Sequence, residues 1–204
     1  MYKSILPSIL FYMEQIKNNS EAENTQFEHL QGFLNVLPGN IRRIDSNTIR
    51  TEKPLRCRAL LFSDDGQNIA LIGRERNGIS YTVLPGGGVE DEDSDAISAV
   101  QRELQEELSV EKSDIAVYDE EALETEPGVW VFLAKAKHPD IVLMLGEGPE
   151  QERNGKTERG LYLPGWLPLK NFSSVNLMPY EFRNAVAEAA RVMQHDEVSQ
   201  NVSE

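Results

Sequence analysis

The chain has one cysteine, three histidines, and 20 lysines and arginines set against 34 aspartates and glutamates. Each shortage removes a class of function. A lone Cys57 cannot close an internal disulfide, and its setting in Leu55-Arg56-Cys57-Arg58-Ala59-Leu60-Leu61-Phe62 reads as a buried strand position, so a reducing compartment, the cytoplasm, is expected. At a formal net charge of −14 the chain lacks the basic surface that binding long nucleic acid requires. A small phosphorylated metabolite arriving with a divalent cation meets no such objection. No stretch reaches the roughly 20 apolar residues of a spanning helix, so no membrane partner is expected. The apolar run from Ile5 to Met13 is followed by Glu14 and Lys17 without a small-residue cleavage pattern, which argues against a secretory signal. His29, His138 and His195 all lie away from the acidic stretch that dominates the sequence, which leaves little room for a His-centred metal site or catalytic triad.

That stretch runs from Gly86 to Val110, GGGVEDEDSDAISAVQRELQEELSV. Tyr81-Thr82-Val83-Leu84 reads as a short strand ending at Pro85, and the three glycines permit backbone conformations that a side chain would forbid. A helix follows. Glu103, Glu106 and Glu107 stand at i, i+3 and i+4 and project from one side, while Ala96, Ile97, Val100, Leu104 and Leu108 form an apolar stripe about a quarter turn away. Clustered carboxylates repel one another, and a hard cation such as Mg²⁺ removes that penalty while keeping positions open for water and substrate phosphates.

The string Arg102-Glu103-Leu104-Gln105-Glu106-Glu107, in its setting of strand, glycine turn and helix, resembles the signature of the Nudix hydrolases, Gx5Ex7REUxEExGU with U aliphatic. Two positions depart from it. Ser94 stands where the family has Glu, with Glu90-Asp91-Glu92-Asp93 able to supply an acid if the turn carries one extra residue, and Ser109 stands where the family has Gly near the helix C-terminus. The resemblance implies an α+β fold, an α/β/α sandwich with a mixed β-sheet between helices. It implies an Mg²⁺-dependent hydrolase, with Mn²⁺ as the substitute ion, that cleaves a pyrophosphate linkage in a nucleoside diphosphate linked to another moiety. Glu106 and Glu107 are then metal ligands, Glu103 is a third ligand or the base acting on water, and Arg102 positions a neighbouring carboxylate. The Gly87 main-chain carbonyl completes the metal shell. A further acid from outside the motif is expected in the loop 146–160, where Glu150 is preferred over Glu152 and Glu158 because Pro149 stiffens its approach. Arg74 and Arg76 precede the motif and read either as donors to substrate phosphates or as ordinary edge-strand charges. The competing reading is a catalytically silent nucleotide-sensing or interaction module that kept the fold.

Elsewhere, residues 1–50 read as an N-terminal helical extension, 51–195 as the hydrolase domain and 196–204 as a polar tail. In the extension, Ile5, Leu6, Ile9, Leu10, Met13 and Ile16 keep helical spacing, and Phe27, Leu30, Phe33, Leu34 and Leu37 do so after the Thr25–Glu28 capping pair. Two such helices must pack on the main domain or on a second copy in a homodimer. Strands are expected at 57–62 and 68–73 as a hairpin, then at 81–84, 115–118, 129–136 and 162–169, with a closing helix over 179–194.

Overall fold

In the computed structural model, which describes residues 42–148, 151, 154, 160–178, 180 and 183, nine strands join one sheet in the order β1-β6-β7-β2-β3-β4-β9, with β5 beside β7 and β8 beside β3. The strands are β1 (Arg42–Asp45), β2 (Arg56–Phe62), β3 (Asn68–Arg76), β4 (Ile79–Val83), β5 (Ile115–Val117), β6 (Glu121–Glu126), β7 (Val129–Ala136), β8 (Leu161–Pro168) and β9 (Leu177–Met178). A short helix α1 (Ser46–Thr51) follows β1, and the long helix α2 (Ala96–Leu108) carries the acidic motif. The expected helices over 5–16 and 25–37 lie outside the described residues, as do Glu150, Glu152, Glu158, the polar tail and nearly all of 179–194.

The sheet is mixed, as the α+β reading requires: β2 runs parallel to β7 and β4 parallel to β9, and the other pairings are antiparallel. One face buries Cys57, Ala59, Leu61, Ala70, Ile72, Trp130, Phe132 and Ala134 against Ala96, Ala99, Val100, Leu104 and Leu108 of α2. The other face gathers Leu60, Ile69, Leu71, Leu84, Val131, Leu169, Phe172 and Leu177. Both are large apolar clusters, and burying a Leu, Ile or Phe side chain contributes about 1.5–3 kcal/mol.

Within the stretch 42–50, read from sequence as the end of the extension, residues 42–45 join the sheet and 46–50 form most of α1. Strand β1 pairs antiparallel with β6, matching Arg42 to Glu124 and Asp45 to Glu121, and Ile44 and Ile49 are buried in the core beside α2. Ion pairs cross this seam from Arg42 to Glu124 at 2.7 Å and from Arg43 to Glu121 at 3.2 Å. The expected β2–β3 hairpin is also altered. The turn forms, with Gly66 N–H donating to the Ser63 carbonyl at 2.9 Å, but only Phe62 and Ile69 pair across it. Beyond that point the strands part: β2 pairs over its whole length with β7, while β3 turns its hydrogen bonds to β4 and β8. The wedge that opens between them receives the glycine turn.

Helix α2 starts at Asp95, whose side chain accepts from Ser98 N–H at 2.7 Å while Ser98 Oγ accepts from Asp95 N–H at 3.0 Å, a reciprocal cap. It ends at Ser109 in the left-handed region, φ 55 and ψ 33. A non-glycine residue there costs about 1–2 kcal/mol relative to a right-handed conformation. Ser109→Gly therefore stabilises the fold by about 1 kcal/mol and raises the melting temperature by about 2–4 °C, read by thermal unfolding; an unchanged or lower value would contradict the strain.

Candidate active site

The site is built where the glycine turn docks on the free edge of β2. Ala59 N–H donates to the Pro85 carbonyl at 2.9 Å, Cys57 N–H to the Gly87 carbonyl at 2.9 Å, and Val89 N–H to the Leu55 carbonyl at 3.2 Å. Gly86 lies so close to β2 that a Cβ would sit 2.2 Å from the Cys57 carbonyl oxygen and 2.6 Å from Arg58 Cα, and its φ of +130 is one that side chains avoid. Only glycine fits. Gly86 N–H in turn donates to Glu107 Oε2 at 2.6 Å, so the turn and the acidic helix are bonded directly. Gly87 faces Glu103, whose carboxylate oxygens would lie 2.5 and 2.6 Å from any Cβ added there. The Gly87 carbonyl, expected as a metal ligand, accepts from Cys57.

Glu103 and Glu107 are each 8 % exposed, whereas Glu106 is half-buried. Two carboxylates thus lie on the buried side of α2, among Ala99, Val100 and Leu104, where charge is costly unless compensated. Glu107 is met by Gly86 N–H, and Glu103 is compensated by Arg102. Its Nη1 donates to Glu103 Oε1 at 3.0 Å and Glu106 Oε2 at 3.2 Å, its Nη2 to the Gly88 carbonyl at 2.8 Å, and Nε and Nη2 grip Asp93 at 3.1 and 3.0 Å. The Asp93 bonds lead in holding the Arg102 proton more firmly than usual, against the effect of burial.

Asp93 fills the position for which the sequence offered the run 90–93. It sits one residue before the family spacing, Ser94 occupies the extra place, and Asp95 caps the helix. Asp93 Oδ2 also accepts from Glu90 N–H at 2.8 Å, and Lys53 Nζ donates to the Asp93 carbonyl. Burial pushes the Asp93 carboxyl up, but the Arg102 and Glu90 bonds with the Arg102 and Lys53 charges outweigh it, and the net shift is down. Lys53 carries no sequence signal for this role, since it lies 40 residues away in the chain.

Arg74 stacks on the Tyr162 ring, 3.6 Å from its centre, with Tyr81 at 6.0 Å on the other side, and Arg76 is exposed at the end of β3. Glu150 lies outside the described residues. The loop that leads to it does reach the helix: a Cβ on Gly146 would sit 2.3 Å from the Gln105 carbonyl oxygen and 2.6 Å from that of Glu106, which places the exposed Glu147 next to the acidic end of α2. Cys57 is fully buried, and burial, followed by the charges of Asp93 and Glu103, pushes its thiol up to about 12, so it is not a nucleophile.

The donor set fits a hard divalent cation in kind, since carboxylate oxygens at i, i+3 and i+4 are what Mg²⁺ takes. Among the described residues no three acidic, histidine or cysteine groups are yet gathered closely enough to hold a metal ion. The Arg102 guanidinium instead lies between Glu103 and Glu106.

The NUDIX domain family model matches residues 53–186, well over half of the chain. The chain belongs to the Nudix family. By class it is a pyrophosphohydrolase, and hydrolases of this family in general use divalent metal ions. No curated protein sequence matches the chain. Similar solved structures include MutT, studied from the fish pathogen Aliivibrio salmonicida and from Vibrio cholerae, at 16 % identity and a TM-score of 0.48, covering 69 % of this chain and 98 % of that one. A C. elegans Ap4A hydrolase in a binary complex is 18 % identical with a TM-score of 0.47, covering 69 % and 98 %. The NUDIX domain of Shewanella oneidensis NrtR, complexed with ADP ribose, is 18 % identical with a TM-score of 0.46, covering 69 % and 87 %. Likenesses at this level say nothing of the substrate. No helix among the described residues is long and apolar enough to cross a membrane.

The Asp93–Arg102 latch in this Nudix protein is testable by pH. A carboxyl whose folded value lies below its unfolded one contributes stability above the unfolded value and loses it as pH falls through the folded one. Asp93→Asn therefore lowers stability by about 1–3 kcal/mol at neutral pH, and the gap from the parent closes below the ordinary carboxylate range. Melting curves across pH check this; a pH-independent gap would contradict it.

Proposed function

We propose that this Nudix protein is an Mg²⁺-dependent hydrolase, with Mn²⁺ as the substitute ion, that cleaves the pyrophosphate linkage of a nucleoside diphosphate joined to another moiety. The observation that carries the reading is the junction of glycine turn and helix: Glu107 accepts from Gly86 N–H, Glu103 faces Gly87, and Arg102 aligns Glu103 with Glu106. Glu103, Glu106 and Glu107 would hold the cation, and the segment entered through Glu147 and Glu150 would supply a further acid. When bound, the cation supplies neutralisation of the phosphate oxygens and a place for the attacking water. The chain's own groups do the rest.

Arg102 keeps Glu103 and Glu106 turned the same way, so their entry to a metal shell requires only that they exchange a guanidinium for a cation. Glu103, buried beside Gly87, has the setting for a group that either joins the shell or takes the proton from water. Gly86 and Gly87 allow the turn to approach the carboxylates more closely than any side-chain-bearing residue. Arg74, rigidified on Tyr162, presents a fixed guanidinium suited to a phosphate or a planar acceptor, and Arg76 remains an exposed charge on the same strand. We place this activity in the cytoplasm, acting on a small molecule rather than a long nucleic acid, with a homodimer as its assembly.

The reading of a silent module rests on Ser94, Ser109 and the N-terminal extension; residues 1–41 of the extension lie outside the described residues, and both serine departures are accommodated locally. Asp93 serves Arg102 in place of an acid at 94, and Ser109 adopts the backbone of the glycine it replaces. Neither displaces a carboxylate of α2.

Turnover of nucleoside diphosphate derivatives, read as released phosphate or nucleoside monophosphate with Mg²⁺, with Mn²⁺ and with chelator, tests the proposal. The parent is active only with metal, and Glu106→Gln and Glu107→Gln each lower kcat by orders of magnitude, on the order of 10²-fold or more, with the fold retained. Equal activity in parent and variants would remove these residues from the reaction, and metal-independent binding without turnover would favour the silent module.

A further inference from the structure

Beside the wedge that opens between β2 and β3 lies a cation that the reaction has not used. Arg58, in the middle of β2, lies directly under the glycine turn, since the missing Cβ of Gly86 would sit 2.6 Å from Arg58 Cα. Its side chain leaves β2 on the face opposite Cys57 and Ala59, which pack toward α2, and its Nη1 donates to the Leu84 carbonyl at 2.8 Å. Leu84 is the first residue after β4 and is fully buried, so its carbonyl lies out of water and the guanidinium supplies it a donor. Among the described residues no carboxylate lies within salt-bridge distance of Arg58; burial weakens its hold on its proton, and Glu107 is the largest opposing influence.

We propose that Arg58 is a positioning residue for the metal centre: by clamping the Leu84 carbonyl it fixes the glycine turn on β2, so that Gly86 N–H meets the Glu107 carboxylate. The inference rests on the metal-dependent reading of α2. Two links of the chain carry it. The Leu84 carbonyl is two residues from the Gly86 amide, and Pro85 between them admits little rotation, so movement at one end is transmitted to the other. The backbone bonds from Ala59 to the Pro85 carbonyl, in the same peptide unit as Gly86 N–H, and from Cys57 to the Gly87 carbonyl hold two peptides of the turn, and the Arg58 guanidinium holds the peptide that leads into them, at Leu84.

The sign of the effect separates positioning from plain electrostatics. A positive charge beside a cation site opposes cation binding, so deleting it without other change tightens the site. Loss of positioning loosens it. The probe is Mn²⁺ alone, titrated into parent, Arg58→Met, Arg58→Lys and Glu107→Gln proteins and followed by electron paramagnetic resonance, with melting curves on each. The parent binds Mn²⁺ and Glu107→Gln does not; Arg58→Met binds about tenfold more weakly, and Arg58→Lys, which keeps a donor of similar reach, recovers most of the affinity. Arg183→Met is the comparison, because Arg183 also bonds backbone carbonyls, those of Val175 and Ser173, away from the turn; it lowers the melting temperature without changing Mn²⁺ affinity. Unchanged or tighter Mn²⁺ binding in folded Arg58→Met overturns the proposal. If that variant does not fold, Arg58→Gln takes its place, with weakening expected and an unchanged or tighter site again overturning the idea. A parent that binds no Mn²⁺ overturns the metal reading itself, and this inference with it, an outcome distinct from a parent and variant that bind alike.

Discussion

The arrangement of the site depends on one guanidinium. Four hydrogen-bond partners converge on Arg102, drawn from three places in the chain: the turn at Gly88, the acidic loop at Asp93, and its own helix at Glu103 and Glu106. Without it, Glu103, Glu106 and Asp93 would lose the cation that bonds all three, partly out of water, where repulsion is strong and solvation weak. Arginine suits the position where lysine would not, because its planar fork can serve Asp93 through two nitrogens while a third reaches along the helix.

A second constraint comes from the sheet. β2 is held along one edge by β7, but β3 leaves it after a single pair, and the freed edge of β2 is taken over by the glycine turn. The turn is therefore an irregular continuation of the sheet, which fixes it as firmly as a strand while leaving Gly86 N–H free to point at Glu107. Helix α2 is anchored independently by Val100, Leu104 and Leu108 in the core. The carboxylates are thus carried by one rigid element and faced by another, a geometry that a flexible loop would not hold.

Much of this was readable from local pattern. The period of the apolar stripe placed α2, apolar runs bounded by turn residues placed β2, β3 and β7, and the spacing of Glu103, Glu106 and Glu107 placed them on one side. What escaped was set by partners distant in sequence. β6, with Glu121, Glu124 and Glu126 in six residues, lacks strand propensity, and β1 is four residues long; they become strands because Arg42 and Arg43 meet glutamates across the seam. The parting of β2 from β3 is invisible in a hairpin-like sequence, since the competing partner, β7, lies some seventy residues on. One missed signal was local: Asn77-Gly78, both with positive φ, marks the tight turn that starts β4 at Ile79 rather than Tyr81. In the site, the replacement of an acid at 94 by Asp93 could be named only as a range, because which of four adjacent acids reaches Arg102 depends on how the turn is wound.

The central claim is that the glutamates of α2 form a divalent metal centre once a cation displaces Arg102 from between them. Anomalous diffraction from crystals of the protein grown with Mn²⁺ tests it most directly. The account predicts a strong Mn²⁺ peak within coordination distance of Glu103, Glu106 or Glu107 beside the Gly86–Gly87 turn, with the Arg102 bond to Glu106 lengthened and its grip on Asp93 kept. A peak elsewhere on this acidic surface, or none at the helix with Arg102 unmoved, would contradict it.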